Sequence, residues 1–240
     1  MTQEQPLPHH DHDGHHWKEP DRVRDYVDRK DREAGQRNEV FRLLTALVPA
    51  ARTAPLRVLD IGCGYGPLAT VVLDEFPHAT AVGLDLSEAM IEIGSPRMAR
   101  FGDRFRYLIA DIGSGLLPDD LPGPLDLVVS SLAVHHLRPE QGARLYRSIY
   151  ERLTTGGSFF NIDHMGAGDD YLQERYTQAR ECLEPPGGVE SGEPRAPAPH
   201  NHERGSVAVH LEWLRSAGFQ PAGCFWKRLN EALVGGFKPA

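Results

Sequence analysis

Apolar and polar residues follow two rhythms along this chain. Short, nearly continuous apolar runs recur near residues 57–61, 80–85, 105–110, 125–131 and 157–163. Each lies close to Gly, Pro, Asp or Ser, the pattern of a strand buried on both faces of a parallel sheet. Between these runs, apolar residues return every three or four positions, as on a helix that packs one face. One helix is expected from about Pro67 to Phe76, with proline suited to its first turn. Another runs to about Ala99 with Ser87 as N-cap. Alternating strands and helices predict an α/β domain with right-handed parallel crossovers.

The flanks read differently. Residues 1–19 are polar and rich in histidine, and are expected to be a disordered tail. His9, His10, His12, His15 and His16 read as solvated side chains and not as a metal site, since no packed scaffold fixes their geometry. Asp21 to Gly35 carries Val23, Tyr26 and Val27 on one side and predicts an amphipathic helix. A second helix is expected from about Gln36 to Leu47, ended by Pro49. Beyond Asp163, a helix spans about Tyr171 to Leu183. A Pro/Gly-rich stretch at 184–205 reads as a mobile loop. A helix from Val207 to Ala217 closes at Gly218, and strands follow at Gly223–Lys227 and Ala232–Lys238. The division is thus 1–19 tail, 20–50 helical segment and 51–240 main domain.

Composition narrows the function. The chain has 240 residues, 40% of them hydrophobic, enough for one α/β domain with appendages. Its net charge is −8 and no Lys/Arg-rich run appears, so a nucleic-acid partner is not expected. No stretch approaches the ~20 apolar residues of a membrane span, and the amino terminus has no apolar signal region. A cytoplasmic location is expected. Cys63, Cys182 and Cys224 are too few and too scattered for a disulfide framework. The oligomeric state stays open.

The chemistry is carried by the run Val58-Leu59-Asp60-Ile61-Gly62-Cys63-Gly64-Tyr65-Gly66. It is a strand, an acidic residue near its end, and three glycines at alternate positions before a helix. Glycine tolerates positive φ and lets backbone approach a ligand. A dinucleotide fingerprint would place its third glycine at position 67, where this chain has Pro67. About 20 residues on, Ala81-Val82-Gly83-Leu84-Asp85 ends a second strand with a carboxylate able to accept from both hydroxyls of a ribose. A third strand ends in Asp111-Ile112. A fourth runs into Leu132-Ala133-Val134-His135-His136-Leu137. The segment Leu153 to Asp163 carries a Gly156-Gly157 turn, read as closing a helix and opening a fifth strand.

These motifs, from Leu56 to Asp163, resemble the class I S-adenosylmethionine-dependent methyltransferases of small-molecule type. The resemblance implies a Rossmann-like seven-stranded sheet of order 3-2-1-4-5-7-6, its last strand antiparallel and helices on both faces. It implies S-adenosyl-L-methionine as cofactor, S-adenosyl-L-homocysteine as product, and methyl transfer to a small-molecule acceptor. It casts residues 20–50 as a lid. Cofactor contacts are implied at Asp60, Gly62, Cys63, Gly64, Asp85, Leu86, Asp111, Ile112 and Ser130. Trp17, before the first helix, would meet the sulfonium with its ring face or anchor the lid. No metal is implied. The carboxyl-terminal residues Cys224 to Lys238 are also similar to the last hairpin of carboxy-S-adenosylmethionine synthase-like proteins. That other chemistry on the same cofactor, and a noncatalytic binding module, remain the alternatives.

Candidate catalytic groups follow strands four and five. His135 either lines the transfer pocket as a proton acceptor or packs under its loop. Asp163 either orients a histidine or contacts substrate, or serves a turn. Tyr26, His136, His164 and Trp226 are further candidates for substrate contact.

Overall fold

The computed structural model describes residues 19–183 and 205–239. One sheet holds seven strands: β1 Arg57–Ile61, β2 Thr80–Asp85, β3 Phe105–Ile109, β4 Leu125–Ser131, β5 Leu153–His164, β6 Ala222–Arg228 and β7 Glu231–Phe237. Their order is β3-β2-β1-β4-β5-β7-β6. Strands β1 to β5 are parallel, and β7 pairs antiparallel with β5 and β6. The helices are α1 Pro20–Arg32, α2 Ala34–Leu47, α3 Pro67–Glu75, α4 Glu88–Met98, α5 Pro139–Arg152, α6 Asp170–Leu183 and α7 Val207–Ala217. This is the Rossmann-like sheet that the resemblance implies.

Two apolar layers explain the continuous runs. On one face Phe41 and Leu44 of α2 and Leu68, Leu73 and Phe76 near α3 meet Val58, Leu127, Val129 and Phe160. On the other, Leu145 and Ile149 of α5 and Leu214 of α7 meet Leu59, Val128, Phe159 and Val234. Neighbouring strand residues point to opposite faces, so both parities must be apolar. Burying each such side chain stabilises the fold by about 1.5–3 kcal/mol. A third, smaller cluster joins α1 to the rest: Val23 and Val27 pack with Tyr65 and Met90.

Helix ends follow local chemistry. Ser87 Oγ accepts from Met90 N at 3.2 Å and starts α4. Gly218 closes α7 at φ 112°. The break between α1 and α2 falls at Glu33 and not beyond Gly35, because Glu33 N still bonds Arg29 O and Gly35 joins the first turn of α2.

Strand β5 also begins earlier than its sequence suggests. The β4–β5 register moves from Leu125↔Leu153 to Leu127↔Ser158. The extra residues form an irregularity that Gly156 turns at φ 78°. The Gly156-Gly157 pair therefore lies inside β5, not between a helix and a strand. The histidine-rich residues, Trp17 and the Pro/Gly-rich stretch to residue 204 lie outside the described residues. Among those described, no helix is long and apolar enough to cross a membrane.

Candidate active site

The glycine turn leaves β1 with Gly62, Gly64 and Gly66 at φ 64°, 54° and 90°. Two of these are fixed by protein neighbours. A Cβ on Gly62 would collide with Ala133 in the loop after β4, and one on Gly66 with the Met98 thioether. A Cβ on Gly64 would meet nothing nearer than Met90 Sδ at 3.7 Å among the described residues, so that side of the backbone is open to a ligand. Beneath the turn Asp60 is 1% exposed. Its Oδ2 accepts from Ala69 N at 3.0 Å, while the buried Oδ1 has no partner among the described residues. Burial pushes this carboxyl up to about 8; the Ala69 amide opposes the rise and Asp85 adds to it.

Asp85 holds the turn from β2. Its Oδ2 accepts from Gly64 N at 2.7 Å and its Oδ1 from Ser87 N at 2.8 Å. Each oxygen keeps a lone pair for a ligand hydroxyl. Burial raises the Asp85 carboxyl, against the amides of Ser87, Gly64 and Leu86. Leu86 is half-buried beside it. Beyond β3, Asp111 is exposed, accepts from Gly113 N at 2.7 Å, and precedes half-buried Ile112. The ends of three neighbouring strands thus present a row of carboxylates around an open glycine.

Two expected cofactor contacts are placed otherwise. Ser130 is 0% exposed and its hydroxyl donates to Ile61 O at 2.9 Å, so its side chain ties β4 to β1. Cys63 is 4% exposed, and its amide is taken by Leu84 O at 3.0 Å. Burial lifts its thiol well above the usual range, so it is a packed small residue.

The second constellation lies after β4 and β5. Leu132 adopts φ 56°, donates to Ile162 O at 2.9 Å, and turns the chain so that a short helical turn, Val134–His136, folds back toward β5. There His135 N donates to Asp163 Oδ2 at 3.0 Å, and His135 Nδ1 lies 2.5 Å from Asp163 Oδ1. His164 N donates to the same Oδ1 at 2.8 Å. The side chains of His135 and Asp163 are 9% and 0% exposed. Burial alone would raise the Asp163 carboxyl, but His135 outweighs it by charge and hydrogen bond. With His210 and the His164 amide, this holds the group at about 2. An ionised Asp163 fixes the Nδ1–H tautomer of His135 and leaves Nε2 as the free ring nitrogen.

Three imidazoles gather here. The His136 ring centroid is 4.1 Å and the His164 centroid 5.5 Å from that of His135, and His164 Nδ1 lies 3.9 Å from Glu231 Oε1. Among the described residues no group of three or more His, Cys, Asp or Glu is arranged to hold a metal ion. The other substrate candidates do not join this cluster in the same way. Trp226 packs with the α2–α3 layer, on the sheet face opposite Asp163, because it pairs with Leu233 and Asp163 with Ala232. Tyr26 packs against the α1 seam with Tyr65 and Met90, and burial pushes its phenol up to about 12.

Sequence reasoning passed over a buried polar group near Asp163. Tyr146 OH lies 2.7 Å from His210 Nδ1 and accepts from Asn161 Nδ2 at 3.2 Å. Burial lowers His210 to about 4, against the charge of Asp163. The available signal was a histidine inside the apolar stripe Val207, Leu211, Leu214. Arg37, which donates to Tyr65 OH at 2.9 Å, was also missed.

A glycine turn, three strand-end carboxylates and a His–Asp pair thus lie along one edge of a Rossmann-like sheet. Residues 58–157 match the family model described as "Methyltransferase domain". The trans-aconitate 2-methyltransferase of Deinococcus radiodurans is 34% identical over 122 residues, 50% of this chain and 42% of that protein. The ribosomal RNA small subunit methyltransferase H of Kocuria rhizophila is 37% identical over 98 residues, 38% of this chain and 30% of that protein. This chain therefore spans less than half the length of either relative. Among solved structures, one described as PigF with SAH has TM-score 0.64 at 21% identity, covering 96% of this chain and 63% of that one. The similarity to methyltransferases thus covers residues 58–157, and the solved structure shares the fold.

Proposed function

We propose that this protein transfers the methyl group of S-adenosylmethionine to a small-molecule acceptor, with His135 receiving the acceptor's proton. The His135–Asp163 pair carries this reading, because it leaves an oriented Nε2 beside the sheet edge where ligands of open α/β folds sit. The residues present fit the cofactor. The buried Asp60 Oδ1, without a partner among the described residues, suits a cationic amino group, and Gly64 leaves room for a ligand backbone. Asp85 keeps acceptors for two hydroxyls, and Asp111 with Ile112 would meet the adenine.

When bound, the cofactor supplies an electrophilic methyl group on sulfur. The protein's share is alignment and proton removal. Asp163 holds His135 at two points, the ring at Nδ1 and the backbone at its amide. Pre-orientation of this kind is worth up to about 7–11 kcal/mol in intramolecular models. A general base adds about 10²–10⁴-fold. His136 and His164 border the same space and would contact the acceptor.

We read α1 and α2 as the lid. Val23 and Val27 pack on Tyr65, which belongs to the glycine turn itself. A nucleic-acid acceptor is disfavoured by the net charge of −8. We place the enzyme in the cytoplasm on the same sequence grounds. The test is incubation with S-adenosylmethionine and a panel of hydroxyl, amine and carboxylate acceptors, with S-adenosylhomocysteine quantified by chromatography. Acceptor-dependent product that is lost in His135→Ala supports the reading. Equal turnover in His135→Ala removes His135 as the base.

A further inference from the structure

Between α2, α3 and α4 lies a cavity of about 260 Å³. Arg37, Asn38, Tyr65, Thr70, Arg97 and Arg100 line it, with Asp31 at its edge. Two of the three guanidinium groups are neutralised within the fold. Arg97 Nη1 lies 2.9 Å from Asp31 Oδ2, and Arg100 Nη2 lies 2.7 Å from Asp74 Oδ2.

Arg37 differs from them. Its Nη1 donates to the neutral Tyr65 hydroxyl at 2.9 Å. Its remaining contacts are the faces of Phe41 and Tyr65, at 5.7 and 5.8 Å. No carboxylate lies within ion-pair distance of it among the described residues, and its Nε is buried without an acceptor. An arginine cannot discharge itself, and with its Nε buried and without an acceptor among the described residues an anion beside it would be stabilised. Three guanidinium groups against Asp31 and Asp74 leave one uncompensated positive charge, on a chain whose net charge is −8. A planar fork facing a cavity matches the oxygens of a carboxylate or phosphate.

We propose that this cavity is an oxyanion-binding subsite in which Arg37, aided by Arg97 and the Tyr65 hydroxyl, holds a carboxylate or phosphate group. Its volume admits such a group with part of the molecule that carries it. Tyr65 follows Gly64 directly and packs on Val23 and Val27 of α1. An anion on Arg37 and Tyr65 therefore braces the glycine turn and the lid together. The occupant is either a free anion or the anionic end of a molecule bound at the glycine turn.

The test is thermal melting of the full chain in inorganic phosphate, with sodium chloride holding ionic strength constant. Phosphate at ten times its Kd should raise the melting temperature by about 3–6 °C. Arg37→Gln should abolish that rise. Phosphorus NMR of phosphate with the wild-type protein gives a second readout, a saturable broadening at one site per chain. If Arg37→Gln does not fold, Arg97→Gln replaces it, since that side chain is 41% exposed; it should weaken phosphate binding severalfold. Titrating S-adenosylmethionine at saturating phosphate then names the occupant. Unchanged affinity assigns a free anion, and competition assigns the cofactor's carboxylate. The proposal is overturned if phosphate acts no more strongly than chloride, or equally in wild type and Arg37→Gln.

Discussion

Replacing Asp163 by asparagine separates a catalytic pair from a structural one. The carboxylate is fully buried and takes three donors: His135 Nδ1, His135 N and His164 N, at 2.5, 3.0 and 2.8 Å. An amide of the same shape keeps one accepting oxygen and turns an NH₂ toward a donor. With that NH₂ toward Nδ1, the imidazole must move its proton to Nε2, and the ring nitrogen facing the acceptor loses its lone pair. The opposite orientation sets the NH₂ against the His135 amide. The same exchange in a Ser-His-Asp triad costs about 10⁴-fold in turnover, and a general base as such contributes about 10²–10⁴-fold. Asp163→Asn should therefore lower kcat by about 10²–10⁴-fold, or about 3–5 kcal/mol of barrier. Cofactor affinity should change less than about threefold, because the carboxylates proposed to hold the cofactor, Asp60, Asp85 and Asp111, lie at the ends of β1 to β3 and not on β5. Initial rates of S-adenosylhomocysteine formation, with the folded fraction from circular dichroism, give the answer. A kcat within threefold of wild type, or a loss that only tracks unfolding, would refute the catalytic pair.

Four other substitutions and one deletion probe the rest of the site. Asp60 is held near 8 in the fold against about 4 when unfolded, so its neutral form contributes stability below about pH 4 that is lost as pH rises through 8. Melting temperatures between pH 5 and 8.5 should fall more steeply for wild type than for Asp60→Asn, and parallel curves would contradict the shift. Gly64→Ala should cost about 1–2 kcal/mol of stability for its left-handed backbone alone, whereas Gly62→Ala must also displace Ala133 and should cost roughly twice that or more in urea melts. Asp85→Ala frees the amides of Gly64 and Ser87 and should weaken S-adenosylmethionine binding by about 1.5–3 kcal/mol in calorimetry; unchanged affinity would move the cofactor off β2. Removing residues 1–32 uncovers Tyr65 and Met90 and should speed cofactor dissociation about tenfold in stopped-flow traces while the sheet's circular dichroism persists; an unchanged rate would remove the lid.

Much of this site was legible because its chemistry is tied to local backbone signals. Positive φ at Gly62, Gly64 and Gly66 and strand-end carboxylates at Asp60, Asp85 and Asp111 are properties of single segments. Such features show in the residue order. The sheet order was legible only through the resemblance, since spacing alone does not say that β4 pairs with β1. Long-range pairings were harder. Asp163 stood beside His164 in sequence, yet its buried carboxylate meets the ring of His135 on the neighbouring loop, 28 residues away. Ser130 and Trp226 looked suited to the pocket, but strand parity and pairing turned them elsewhere. Arg37 carried no sequence signal, because its lack of a carboxylate appears only once α2 is laid against Tyr65.

The central claim is that the open glycine turn and the carboxylates on β1, β2 and β3 hold S-adenosylmethionine. Isothermal titration of the full chain with S-adenosylmethionine tests it most directly. The account predicts saturable binding at one site per chain, displaced by S-adenosylhomocysteine and weakened in Asp85→Ala. No heat with S-adenosylmethionine, together with binding of a nicotinamide dinucleotide, would contradict it.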